Sequence, residues 1–236
     1  MRTAMIALRA VLVCSAAGAA LTGCSGGSTA PAERSAGQLL DDANRTMSAL
    51  GSVTVDADTV SAGGSRLTTH MTTDLKSKCT NRAEWAAAGT LEQIRIGDTD
   101  YVRPDAAYLK TYLEKTGRDA EGSGVQRRWI KSPSSRAQPG DGLASCPYSF
   151  TSFGEADKGH AVSVGGRKAI EVEVHDRSER NGSFTFSIAT EGKPYLLKVS
   201  YRGTDYETST SFSGFDEPLA IRPPAAADVL DGAGLS

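Results

Sequence analysis

The chain has 236 residues, of which 26 are Lys or Arg and 28 are Asp or Glu, with 39% hydrophobic and only 6% aromatic content. A formal charge of −2 leaves no basic excess to coat a phosphate backbone, so the composition argues for no nucleic-acid partner. The same balance excludes a polytopic membrane protein, and the length suits one domain or at most two.

In chain order, the first element is an N-terminal segment in which Arg2 and Arg9 precede an uncharged run over 10–21. A membrane span needs about 20 apolar residues, and this run is shorter and has the flanks of a cleavable peptide. Leu21-Thr22-Gly23-Cys24 ends it and resembles the lipobox of bacterial lipoproteins, in which the Cys sulfur takes a diacylglycerol and cleavage leaves that Cys as the first residue. The expected organisation is a lipoprotein signal peptide over 1–23, a flexible Gly/Ser/Thr/Ala/Pro-rich tether over 24–34, and one domain over 35–236. Residues 1–23 hold two Arg and no acid, so 213 residues of charge −4 remain after cleavage. Acyl chains contribute about 0.8 kcal/mol per buried CH₂, enough for a multi-acyl anchor to hold the protein on the extracytoplasmic face of the cell membrane.

The compartment sorts the cysteines. Cys14 leaves with the signal and Cys24 is the lipid attachment site, which leaves Cys79 and Cys146 where a disulfide persists. The alternative is two free thiols or a metal pair, against which stands the lack of a His or second Cys at ligand spacing around either one.

Ser35 and Gln38 form a capping-box pattern, and Ala36, Leu39, Leu40, Ala43, Met47 and Leu50 recur at helical spacing, with Gly51 as the stop. From Ser52 the period becomes two. Val53, Val55 and Ala57 alternate with Thr54, Asp56 and Asp58, and Leu67, Met71 and Leu75 share a face after the Gly63-Gly64 turn. Further strands are expected over 82–88, 90–96 and 100–103. A second helix starts at Pro104-Asp105 with Tyr108, Leu109, Tyr112 and Leu113 on one side and ends at Gly117.

Segment 118–150 is Gly/Ser/Pro-rich and irregular apart from a short strand at Arg128-Trp129-Ile130-Lys131, which makes it a candidate lid. The last third reads as a four-stranded meander: Ile170, Val172, Val174; Phe184, Phe186, Ile188; Tyr195, Leu197, Val199, Tyr201; Tyr206, Thr208, Thr210, Phe212. Val229 and Leu230 close the chain as a short docked tail.

Catalytic patterns are missing. No G-x-S-x-G falls at a strand-to-helix turn, and there is no S-x-x-K, H-E-x-x-H or phosphate-binding glycine loop. His70 and His175 fall on polar strand faces and His160 in a loop, which reads as solvated surface. No catalytic residue, cofactor or metal ligand is expected, and the chain is read as non-enzymatic. Tyr101, Tyr108, Tyr112 and Trp129 cluster around the second helix; they either line an apolar ligand cavity or lid, together with Leu109 and Leu113, or fill the space between helix and sheet.

The order of lipobox, tether, amphipathic helix, the block TLEQIRIGDTDYVRPDAAYLKTYLE, the strand RRWIK and the closing meander with EGKPYL resembles actinobacterial envelope lipoproteins with the LolA-like half-barrel, akin to the LppX/LprG-like lipid-carrying lipoproteins. The resemblance implies an α+β fold: a strongly curved antiparallel sheet of about ten strands wrapped around a few helices. It also implies an apolar cavity for a lipid or lipoglycan. The chain departs from that pattern in using Thr, as at Thr69 and Thr73, where a lipid cavity would take larger aliphatics. Two functions are carried forward: a membrane-anchored lipid carrier, and an adaptor or sensor with a packed interior that binds an envelope protein partner.

Overall fold

The structure, a computed structural model, describes residues 34–116, 128–137, 142–152, 154–175 and 182–232. The signal and the tether through residue 33, Cys24 included, with Gly117 and residues 118–127, lie outside the described residues.

Helix α1 (Ala36–Ser48) starts at the expected capping box. Ser35 Oγ accepts the Gln38 N–H at 3.2 Å and Gln38 Oε1 accepts the Ser35 N–H at 2.9 Å, so two donors at the helix start are satisfied reciprocally. Its buried stripe is Ala36, Leu39, Leu40, Ala43 and Met47. The helix ends earlier than expected, at a right-handed Ala49, and Gly51 does not stop it: its N–H donates to Asp216 Oδ1 at 2.7 Å.

The strands are β1 (Val53–Ser61), β2 (Arg66–Thr73), β3 (Lys78–Trp85), β4 (Gly89–Ile96) and β5 (Thr99–Pro104), then helix α2 (Ala106–Thr116), β6 (Trp129–Pro133), β7 (Ala156–Val164), β8 (Arg167–His175), β9 (Ser183–Ala189), β10 (Leu196–Arg202), β11 (Tyr206–Ser213) and β12 (Val229–Asp231). They form one curved, open sheet in the order β12-β6-β5-β4-β3-β2-β1-β11-β10-β9-β8-β7. Every pairing is antiparallel except β12 on β6. This is the α+β half-barrel expected, with twelve strands where about ten were anticipated.

Three local differences have physical causes. β3 begins at Lys78, four residues before the expected 82, because Asp74 Oδ1 organises the preceding turn by accepting the N–H groups of Lys76, Ser77 and Lys78 at 2.8–2.9 Å. Residues 86–88 form the turn into β4 and are not strand. β7 was not anticipated: it is an edge strand with a bulge between Lys158 and Ala161, so its apolar positions do not alternate.

The strand ends define two ends of the half-barrel. The β1–β2, β3–β4 and β10–β11 turns lie at the upper end, and the β2–β3, β4–β5, β7–β8 and β9–β10 connections at the lower. Helix α1 lies in the concave trough against β7–β10, and the main core joins it to Val53, Val55, Met71, Val172, Val174, Phe186, Ile188 and Phe212. A smaller cluster of Ala169, Ala189 and Leu197 lies on the other face, because the bulge between Leu196 and Lys198 shifts the alternation of β10 by one position and puts Leu196, opposite Ile188, on the inner face of Val199 in place of Leu197.

Candidate ligand cavity

The concave trough has two halves of different chemistry. Over β2–β5 it is polar and filled. Cys79 and Cys146 form a disulfide across 67 residues, and this pins residues 142–146 to the sheet. Thr73 Oγ1 donates to the Cys146 carbonyl at 2.6 Å, and Gln93 accepts the Ala144 N–H at 2.7 Å while donating to its carbonyl at 3.2 Å. Asp100, 1% exposed, accepts from Gln93 Nε2 at 2.9 Å and from Arg95 Nε and Nη2 at 2.7 and 2.6 Å. Buried polar groups of this kind are stable only when each is bonded, and here they are. Thr73, one of the threonines that departed from the lipid-cavity pattern, belongs to this filled half.

Over β8–β11 the trough is apolar and partly empty. A cavity of about 280 Å³ lies between the sheet and a roof made by Asn44 of α1 and residues 148–151. Its floor and walls are Val174, Phe184, Phe186, Leu196, Val199, Tyr201, Tyr206, Thr208, Thr210 and Phe212. Cross-strand neighbours share a face, and the pairs Val174–Phe184, Phe184–Tyr201 and Tyr201–Thr208 form one transverse row, with Val172–Phe186, Phe186–Val199 and Val199–Thr210 beneath it. Asn44 Nδ2 donates to Ser152 Oγ at 2.9 Å and ties helix to roof. Tyr148 packs at 5.0 Å on Phe150 and 5.8 Å on Phe212, and burial pushes its phenol above the ordinary range, so it stays neutral.

Burial locates the mouth. Along the inward face of β11, exposure falls from 43% at Tyr206 to 5% at Phe212. Along β9 it falls from a half-buried Phe184 to a fully buried Ile188. The cavity therefore opens at the upper end and closes toward the lower.

The residues singled out from sequence assemble elsewhere. Asp100 faces inward, so the alternation of β5 turns Tyr101 outward, where it lies between Ile94 and Lys131 on the convex face. Trp129 stands on that same face with the Arg103 guanidinium 4.6 Å from its ring centre. Tyr108 sits on Trp85 at 5.4 Å and stacks on Tyr112 at 6.4 Å, at the upper end of β3 and β4. Asp105 positions that helix by accepting the Tyr108 N–H at 2.7 Å and the Thr90 N–H at 2.9 Å. Leu109 is half-buried in α2, and the Leu113 side chain lies outside the described residues. None of Tyr101, Tyr108, Leu109, Tyr112 and Trp129 lines the 280 Å³ cavity. Its aromatic walls come from the meander, whose alternation was legible; the roof that makes them a cavity was not.

His70 Nδ1 lies 2.6 Å from Asp56 Oδ1 on the convex face, in an exposed pair. Among the described residues no group of three or more His, Cys, Asp or Glu could hold a metal ion. No helix among them is long and apolar enough to cross a membrane.

No protein-family model and no curated protein matches the sequence. Among solved structures, LprF from Mycobacterium bovis aligns with a TM-score of 0.54 at 12% identity, covering 81% of this chain and 97% of that one. The Mycobacterium tuberculosis lipoprotein LppX aligns with a TM-score of 0.49 at 10% identity, covering 79% and 99%. The chain has the fold of LprF, an open α+β half-barrel.

Proposed function

We propose that this protein is an extracytoplasmic, non-catalytic lipoprotein, anchored through Cys24, that binds or carries a lipid in the cavity between α1, residues 148–151 and β8–β11. The single observation that carries the reading is that cavity, lined by Phe184, Phe186, Leu196, Val199 and Phe212 and open at one end. At about 280 Å³ it lies at the lower edge of the roughly 300–1,000 Å³ of small-molecule sites. It suits one hydrocarbon chain better than several. Each CH₂ withdrawn from water contributes about 0.8 kcal/mol, and the neutral Tyr148 phenol with Asn44 and Thr208 supplies a few polar groups beside the chain. No cofactor is required.

The test is to prepare the chain from residue 25 onward, extract it with organic solvent and weigh the extract by mass spectrometry. One lipid per protein is expected. A folded protein that contains none and takes up none from vesicles would overturn the reading and favour the adaptor with a protein partner.

A further inference from the structure

We infer that the upper end of the half-barrel is a membrane-docking face, with the β1–β2 and β10–β11 turns and the cavity mouth laid against a lipid bilayer. The inference rests on the lipid-carrier reading and its anchor at Cys24.

The adjoining β1–β2 and β10–β11 turns are poor in charge. At the lower end the β2–β3, β4–β5 and β9–β10 connections carry Asp74, Lys76, Lys78, Asp98, Glu191 and Lys193, and β7 turns into β8 through Gly165-Gly166. At the upper end the β1–β2, β3–β4 and β10–β11 turns read Ser61-Ala62-Gly63-Gly64-Ser65, Ala86-Ala87-Ala88 and Gly203-Thr204-Asp205, with Asp205 as their one charge, whereas the sequence that joins β8 to β9 carries Asp176, Arg177, Glu179 and Arg180. Beside the β1–β2 and β10–β11 turns stand Val60 at 40% exposure and Tyr206 at 43%. Ser61 pairs with Tyr206 and Val60 with Glu207, and the Ala62 N–H donates to the Asp205 carbonyl at 2.7 Å, so both turns form one rigid ledge, with Tyr206 on its concave side and Val60 on its convex side between Arg66 and Glu207. The basic groups next to the ledge are matched: Arg66 pairs with Asp58, and Arg202 with Glu207 at 2.9 Å. A partly apolar ledge whose turns carry one charge, with a Tyr at its edge, suits the boundary between headgroups and acyl chains, where a ring with one wet end is favoured.

The path of the chain points to the same end. Lys158, near the upper end of β7, donates from Nζ to the Arg34 carbonyl at 3.1 Å, so the chain enters the domain there and α1 then descends. Nine residues, 25–33, separate Arg34 from Cys24, and a chain of that length spans at most about 35 Å. An eight-residue strand is about 25 Å long, so turning the lower end to the bilayer would use most of that reach. With the upper end down, an acyl chain passes from bilayer to cavity without crossing water.

The test uses the lipidated full chain in phosphatidylcholine vesicles that contain lipids brominated in the acyl chain. A fluorophore is placed at the upper turn through Thr204→Cys or at the lower turn through Asp98→Cys, with the native disulfide intact. Quenching several-fold stronger at 204 than at 98 is expected. Val60→Ser with Tyr206→Ser should remove most of that difference while thermal unfolding and vesicle attachment stay unchanged. Equal quenching, stronger quenching at 98, or no effect of the double substitution would overturn the docking face. The organic extract of the same sample separates the two ideas: bound lipid with equal quenching removes the docking face alone, and quenching at 204 with an empty extract removes the carrier alone.

Discussion

Gln93 grips the backbone of Ala144 from both sides, accepting its N–H at 2.7 Å and donating to its carbonyl at 3.2 Å, across 51 residues of sequence. One side chain thus does for residues 142–146 what a neighbouring strand does for a strand. The same amide group donates to the buried Asp100. Gln93→Leu fits the volume but orphans the Ala144 amide and takes one donor from Asp100. Leaving a buried polar group unsatisfied costs about 1–3 kcal/mol, so a loss of about 3 kcal/mol is expected in urea unfolding; a change below half of that would show the site to be hydrated.

The Cys79–Cys146 bond closes a span of 67 residues, and constraining the unfolded chain over that length is worth roughly 4 kcal/mol in the chain-entropy model. Cys79→Ser with Cys146→Ser should lower stability by about that amount. It should also weaken lipid uptake, because Cys146 precedes the roof residues Tyr148 and Phe150 by only a few positions. In the unaltered protein, non-reducing mass spectrometry should find two hydrogens fewer than in the reduced form, with neither thiol open to labelling.

Much of this was legible in sequence, and the misses share a cause. The capping box at Ser35, the β1 and β2 faces and the β8–β11 meander follow from short-range patterns that the structure repeats, except at Leu197, which the β10 bulge removes from the face of Val199 and Tyr201 and replaces with Leu196. The convex placement of Tyr101 and Trp129 could not be read locally, because it depends on Asp100 facing inward, which is tolerable only once Gln93 and Arg95 satisfy it. Strand β7 hides its period behind a bulge. The cavity's walls were visible as alternating Phe, Tyr and Val, but its roof comes from α1 and residues 148–151, which meet the walls only in three dimensions.

If the cavity holds an acyl chain, filling it must abolish binding without unfolding the protein. Thr210 lies on the wall between Val199 and Ala57. Thr210→Trp should reduce co-purified lipid several-fold with little change in unfolding midpoint. Trp129→Ala, on the opposite face beside Arg103, should leave lipid content unaltered. Equal lipid loss in both variants would show that the effect is not local to the cavity.

Asp74 should give the fold an acid-sensitive turn. Partial burial pushes its carboxyl pKa up, but the N–H donations from Lys78, Lys76 and Ser77 outweigh that and hold it below the usual carboxylate range. A folded pKa below the unfolded value, about 3.9, means that the stabilisation is complete above that pH and is lost as the pH falls through the depressed folded value. Asp74→Ala should therefore cost about 1 kcal/mol at pH 7, as the loss of a capping carboxylate does. The gap between the two proteins should close on acidification; a gap independent of pH would exclude the ionised form as its source.

An open sheet has two borders, and an exposed border invites a second copy to add a strand and so on into a fibre. On one side β12 covers β6 with only the three residues Val229–Asp231. On the other, β7 is bent by its bulge and studded with Asp157, Lys158 and His160. Neither border offers a long, flat, uncharged template, so a half-barrel that stays unclosed can still persist at high concentration without polymerising.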